Sequence, residues 1–496
     1  MRIDVHNKTV FTCVPIILVV FSILVFRPPQ STTRIKDESA VPGRPITPAG
    51  SLLIDAITHQ PAVGALPVAF VRSPDQTGPE GKGRYLISVN SGFGIQFNAT
   101  GNRAQQSLSV IDLNATPTPK VIQNVYFPAP QSVNVGLVFS RQPDADGAHT
   151  LYASGGFENK IWLFRFDAGD KIPLSPVSPG PNTSVDAPFI DVSGFATSAP
   201  SERYNRNNAA VYPTGLAISD DGNTLFVANN LGDSLGIIRD LRGSRRLERV
   251  DLVGRERTSA DTQHFTYPYA VVALPHGPSR ARELQELALQ GTPGRRDQKL
   301  SSTAVNSTWK VYVSCWNDNS VAVIDLTRKP YAVTYVPVGH HPTAMLWDGT
   351  RGRLYVANSD EDSVSMIDTR YDREIERVNV RLAEETRMGQ SPEGLALSSD
   401  AKTLYVANAR SNSVAVVTLS PISLDNSGSF DKPAYLDRIA ADPSRVRGFI
   451  PTGQYPSAVA LVNQTILVGN GKGTGVENSS LVVNNSGRTP NAPNDR

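Results

Sequence analysis

Only two cysteines occur in 496 residues, Cys13 and Cys315, too few for the paired framework of a disulfide-stapled fold. Neither stands in a CxxC or CxxCH sequence, which excludes a covalently attached c-type haem and a cysteine-built zinc knuckle. Net charge is nearly absent as well. The 48 Lys and Arg against 46 Asp and Glu leave +2, with no surplus for an extended nucleic-acid face. No phosphate-binding loop, HExxH, GxSxG or GxGxxG sequence sits in the strand–helix setting that its chemistry requires. The common enzyme signatures therefore give no lead.

The N-terminus does. Val10 to Phe26 is a run of 17 uncharged, mostly apolar residues between Lys8 and Arg27. That is the short end of a membrane span and slightly long for a signal-peptide core. The run stops at Phe26-Arg27-Pro28-Pro29, without the small residues of a cleavage site. The sequence predicts an uncleaved signal anchor over 10–26, after a flank at 1–9 and before a polar linker at 27–43. A cleaved signal and a secreted body is the alternative. Either way the body is expected outside the cytoplasm, in the periplasm or at the cell surface.

What the remainder contains is repetition. Glycine (38) and proline (37) are both abundant, as short strands joined by turns require. Pro213-Thr-Gly-Leu-Ala-Ile-Ser219 is followed by Thr224-Leu-Phe-Val-Ala-Asn229, and Pro392-Glu-Gly-Leu-Ala-Leu-Ser398 by Thr403-Leu-Tyr-Val-Ala-Asn408. Seven anchors align: Pro67, Asn134, Pro213, Pro268, Pro342, Pro392 and Pro456. Two residues after each stands Gly or Ala: Ala69, Gly136, Gly215, Ala270, Ala344, Gly394 and Ala458. A repeat this long is one supersecondary unit copied around a ring or along a stack, and the small residue implies a strand beside a crowded axis. Each unit reads as four strands. A polar turn such as Asp220-Asp221-Gly222 joins the first two, and the third is β-branched, as in Ser320-Val-Ala-Val-Ile-Asp325. The expected fold is all-β, a seven-bladed β-propeller of four-stranded antiparallel blades over 44–485, with a polar tail at 486–496. The last unit lacks a fourth strand, and the segment from Arg44 to Leu66 is expected to supply it and protect the open edge. Asp167–Asn208 reads as a long loop. Gly277–Thr308 reads as an insertion with a short helix over 281–290.

Tyr355-Val-Ala-Asn358 and Tyr405-Val-Ala-Asn408, each followed by a Ser-Val-x-Met/Val strand, resemble the YVTN family of propeller repeats. The resemblance covers about residues 45–485 and implies a propeller akin to lactonase-like proteins, commonly exported. It also resembles the N-terminal propeller of propeller–phosphoesterase fusions, which would make this chain the propeller part alone. Gly155 and Cys315 stand where the repeat asparagine belongs in two units.

In this strand order the loops entering each first strand and leaving each second strand share one face. Tyr212, Tyr267, Tyr269, His340, His341, Glu393 and Tyr455 come from the first set; Trp316, Asn317, Asn358, Asn408 and Asn470 come from the second, with Asn90, Asn229 and Lys472. Such a ring makes a ligand-binding channel mouth. Structural roles compete with that reading, since asparagines suit strand-end turns and tyrosines suit half-buried rims. His340 and His341, adjacent in an extended segment, point to opposite faces and do not converge on one metal. No cofactor or metal is expected. The expected function is a membrane-tethered ligand- or protein-binding scaffold without catalysis. The alternative is a lactonase-like hydrolase using His341 and Glu393.

Overall fold

The first strand of a repeat enters through its proline and leaves through a Ser-x-Asp turn. Ser219 Oγ donates to Asp221 Oδ1 at 2.5 Å and accepts the Thr224 N–H at 2.9 Å. Ser398 does the same with Asp400 and Thr403, and Ser73 with Asp75 and Tyr85. The hydroxyl and carboxylate thus satisfy the turn's backbone and fix where the second strand begins.

The computed structural model describes residues 66–92, 106–196, 211–255, 265–274, 310–382, 389–422 and 432–471, apart from 117, 129, 181–182 and 328 within those spans. Five sheets have four antiparallel strands in chain order, beginning with Pro67–Arg72, Pro213–Ile218, Pro268–Leu274, Pro342–Asp348 and Pro392–Leu397. The sheet beginning with Leu137–Phe139, second in the chain, has five strands. A further sheet, Pro456–Val462 with Thr465–Asn470, has two. The seven first strands touch one another in sequence order, and Pro456–Val462 touches Pro67–Arg72 to close the circle.

The molecule is therefore an all-β propeller, but the expected seven four-stranded blades are corrected. Six blades are complete among the described residues, and the last repeat contributes only a strand pair. Of the segments expected to complete it, 44–66 lies outside the described residues except for Leu66, and all beyond 471 lies outside them, as do the 281–290 helix and the 10–26 anchor. No helix among the described residues is long and apolar enough to cross a membrane.

Apolar clusters fill the spaces between neighbouring sheets. Phe226, Leu235 and Ile237 pack on Val271, Val311 and Val313; Tyr355, Val364 and Met366 pack on Leu404, Val406 and Val417. The third and fifth sheets are covered on both faces, so their second and third strands are buried at nearly every position.

The small residue after each anchor also has its cause. A Cβ on Gly215 would lie 2.5 Å from the carbonyl oxygen of Tyr269, and one on Gly136 would lie 2.0 Å from that of Thr214. At Gly136 and Gly215 the first strand passes its neighbour's backbone with no room for a Cβ, and the other repeats admit nothing larger than Gly or Ala in this sequence. A bulge follows the proline in six of the seven first strands, re-aiming the residues beside it.

Two further differences from the sequence reading arise at the rim. The segment read as a loop over Asp167–Asn208 contains Leu174–Ser175 and Phe189–Asp191, both paired with Lys160–Phe166. They divide the role of one outer strand, because an open edge needs partners. In the sixth sheet a helix, Lys432–Ala441, stands between the third and fourth strands and buries Tyr435 and Ile439.

Candidate ligand site at one end of the channel

The residue before each anchor proline has a left-handed backbone: Leu66 (φ 55°), Tyr212 (55°), Tyr267 (48°), His341 (53°), Ser391 (56°) and Tyr455 (60°). Bulky residues seldom adopt this conformation, so something must hold it. An Asn or Asp just before the preceding sheet's third strand does so. Asn159 Oδ1 accepts the N–H of Tyr212 at 3.0 Å, Asp233 Oδ1 that of Tyr267 at 3.1 Å, Asn319 Oδ1 that of His341 at 3.1 Å and Asn412 Oδ1 that of Tyr455 at 2.9 Å. Asp362 takes the Gly389, Gln390 and Ser391 N–H groups at 2.8, 2.7 and 3.2 Å. These latching residues are themselves left-handed, a conformation that Asn and Asp tolerate. The carbonyl of each pre-proline residue is taken too: Asn230 N donates to Tyr212 O, Trp316 N to Tyr267 O, Ser359 N to His341 O and Gly471 N to Tyr455 O. With both backbone groups committed, the side chains are presented at one end of the ring.

The residue after the proline is Val68 in the first repeat, and in the other five it is one of two polar kinds. Thr214, Thr343 and Ser457 turn hydroxyls onto backbone carbonyls: Thr214 Oγ1 donates to Pro268 O at 3.1 Å and Ser457 Oγ to Pro67 O at 2.5 Å. Tyr269 and Glu393 occupy the same place with long polar side chains. Both keep some exposure, yet burial is the leading cause of their altered acidity. It pushes the Glu393 carboxyl up to about 7, against the lowering effects of a 2.9 Å hydrogen bond from Ser391 and of Arg410, while Asp360 adds to the rise. Burial also raises the Tyr269 phenol, with Glu393, Tyr455 and Tyr212 adding to the effect. Partial exposure and strong desolvation coexist when a side chain is walled along its length and open at one end, as in a channel. Burial raises Tyr455 as well, helped by Glu393 and opposed by Arg410. The four residues come from the third, fourth, sixth and seventh repeats.

Beside them is an aromatic run. Tyr267 meets Trp316 edge to face at 6.2 Å and 82°, and Trp316 stacks on His341 at 3.8 Å and 7°. His341 Nδ1 pairs with Asp360 Oδ2 at 2.5 Å. His340 is exposed, and its backbone N–H donates to Glu361 Oε2 at 3.1 Å, so the two histidines part company. Asn317 is exposed and its amide donates to Phe265 O at 2.8 Å.

The asparagines fall elsewhere. Asn229, Asn358 and Asn408 are fully buried, and their amides donate to Ser234 Oγ, to Ser363 and Ser365 Oγ, and to Val380 O. Asn90 donates to Ser107 and Ser109 Oγ. Asn470 lies against Gly453. Asn90, Asn229, Asn358 and Asn408 tie strand ends together through their amide N–H groups, while the Oδ1 atoms of Asn229, Asn358, Asn408 and Asn470 are buried without a protein partner among the described residues. Lys472 is outside the described residues. Sequence reasoning missed Asp360 and Arg410, which lie in loops after second strands, and it missed the latching Asn and Asp. Their signal was an Asn or Asp preceding the third strand's serine or lysine in the second to sixth repeats. No three His, Cys, Asp or Glu side chains among the described residues converge as metal ligands.

No family model and no curated protein matches the chain. Solved structures do. The periplasmic gluconolactonase PpgL of Pseudomonas aeruginosa is 15% identical with a TM-score of 0.47, over 81% of this chain and 88% of that one. A Bacteroides uniformis protein provisionally described as a 6-phosphogluconolactonase is 10% identical with a TM-score of 0.47, over 81% and 88%. Hydrazine synthase of Kuenenia stuttgartiensis is 16% identical with a TM-score of 0.43, over 83% and 97%. None of the three reaches 0.5, and they bear on neither the ligand nor the chemistry of this chain.

Proposed function

We propose that this protein is a ligand-binding propeller whose site is the channel end formed by Tyr212, Tyr269, Glu393 and Tyr455. The observation that carries the reading is a departure from the repeat. Where the third, fifth and seventh repeats place a short hydroxyl that bonds to backbone, Tyr269 and Glu393 place long, desolvated polar groups. A buried carboxyl costs stability, and a bound ligand is what offsets that cost. The N-terminal apolar run supports an exported, membrane-tethered setting, with small molecules or an exposed segment of another protein as partners and no nucleic acid. A thermal-shift screen of small polar compounds against the wild type and Tyr269→Ala tests the reading. Compounds that raise the Tm of the wild type alone support it. Hits that shift both proteins equally contradict it.

A second reading rests on the His341–Asp360 pair. A carboxylate that orients an imidazole at 2.5 Å is the arrangement of a general base, and Glu393, whose acidity Asp360 influences, would be the proton donor. Lactone hydrolysis would follow from activation of water by His341. Turnover of a lactone panel that disappears in His341→Gln would favour it, and turnover unchanged by that substitution would remove it.

A further inference from the structure

Asn229, Asn358 and Asn408 end the second strands of the third, fifth and sixth repeats and are fully buried. The Oδ1 atom of each has no hydrogen-bond partner among the described residues. We infer that each of these oxygens binds an internal water molecule, and that these waters belong to the framework presenting Tyr212, His341 and Ser391 at the channel end.

The strand pairing explains the missing donor. Each asparagine lies opposite its anchor proline, Pro213, Pro342 or Pro392, and a bulge follows that proline. Proline has no N–H to give. Two residues earlier, on the same face of the strand, stands Val227, Val356 or Val406, with no hydroxyl. The first repeat supplies the contrast. Asn90 also lies opposite its proline, Pro67, but Ser88 replaces the valine and its Oγ donates to Asn90 Oδ1 at 2.9 Å. Turning the amide over does not help: Asn408 Nδ2 donates at 2.8 Å to Val380 O, a carbonyl that can only accept.

A buried acceptor left unpaired is costly, and internal water is the usual means by which proteins satisfy one. A second partner for the water is at hand. Ser234 and Ser365 accept the amide N–H groups of Asn229 and Asn358, and each hydroxyl still has a proton to donate. The position also bears on the channel end. The residue after each asparagine, Asn230, Ser359 or Ala409, donates its N–H to the carbonyl of Tyr212, His341 or Ser391. Each water thus stands one residue from the bond that holds a presented side chain in its left-handed conformation. The inference does not depend on what the channel end binds.

The test is a high-resolution crystal structure of the full chain beside that of Ser88→Ala. The expected result is an ordered water within about 3.0 Å of Oδ1 in Asn229, Asn358 and Asn408, and none on Asn90 Oδ1. Ser88→Ala removes the first repeat's own donor, so a further water is expected on Asn90 there. In solution, water–amide cross-relaxation should show long-lived water beside the side-chain NH2 groups of the same three asparagines, and beside that of Asn90 only in the variant. Dry oxygens on the three asparagines overturn the inference. So does water on Asn90 in the wild type, or a folded Ser88→Ala protein whose Asn90 stays dry, because either breaks the link between donor and water. Density that is lost after treatment with a chelator overturns water in favour of a metal ion.

Discussion

The Ser457 hydroxyl donates to the carbonyl oxygen of Pro67 at 2.5 Å, joining residues 390 positions apart in the chain. It is the counterpart of the bond from Thr214 to Pro268, made here where the last repeat meets the first. Both partners are buried. Ser457→Ala leaves a carbonyl short of its donor and is expected to lower stability by about 1–2 kcal/mol. A urea denaturation should show a lower midpoint with an unchanged slope.

Asp362 has a heavier task, since it accepts three backbone N–H groups in front of Pro392. Asp362→Ala orphans them in a buried site and is expected to cost roughly 2–4 kcal/mol. Asp362→Asn keeps one acceptor oxygen and should cost less. Because this latch sets the course of Ser391 and Glu393, the Asn variant should also weaken ligand binding, as isothermal titration would show.

Gly215→Ala tests the crowding at the hub. The added methyl would meet the Tyr269 carbonyl at 2.5 Å and the Ala270 Cα at 2.7 Å, and both are backbone atoms that cannot rotate aside. The expected loss is about 1–3 kcal/mol, read as a lower Tm. Gly448 in the outer strand of the sixth sheet has nothing within 4 Å of a Cβ, so Gly448→Ala should be close to neutral.

Glu393 makes stability depend on pH. Its carboxyl titrates at about 7 in the folded protein and near ~4.3 in an unfolded chain. Between those values the folded state holds more protons, so this group's contribution falls as pH rises through the window. Glu393→Gln removes the slope. It should leave the protein more stable than the wild type at pH 8 by on the order of 1–2 kcal/mol, allowing for solvent in the channel. Tm measured from pH 5 to 8 for the two proteins checks this.

The framework was legible because its causes are local. Pro213-Thr-Gly and Pro392-Glu-Gly record a strand entry and a backbone crossing within three residues, and Ser219 to Thr224 record a complete turn. What escaped reading depends on residues far apart in the chain. The Asn412–Tyr455 latch spans 43 positions, and neither residue signals the other. The buried asparagines looked like site residues because strand-end position is visible in sequence, whereas the direction of an amide is not. Asp360 was missed for the converse reason: only the fold brings its carboxylate to His341. The count of complete blades among the described residues differs because the third and fourth strands expected of the last repeat fall beyond 471 and at 44–65, outside those residues.

The central claim is that Glu393 stands in a walled channel with Tyr269, Tyr212 and Tyr455 around it. Titration of its carboxyl carbon by NMR, assigned through the Glu393→Gln spectrum, measures that environment directly. A midpoint near 7, moving downward in Tyr269→Ala as water enters, is the expected result. A midpoint close to the ordinary value of ~4.3 in the wild type would contradict the claim.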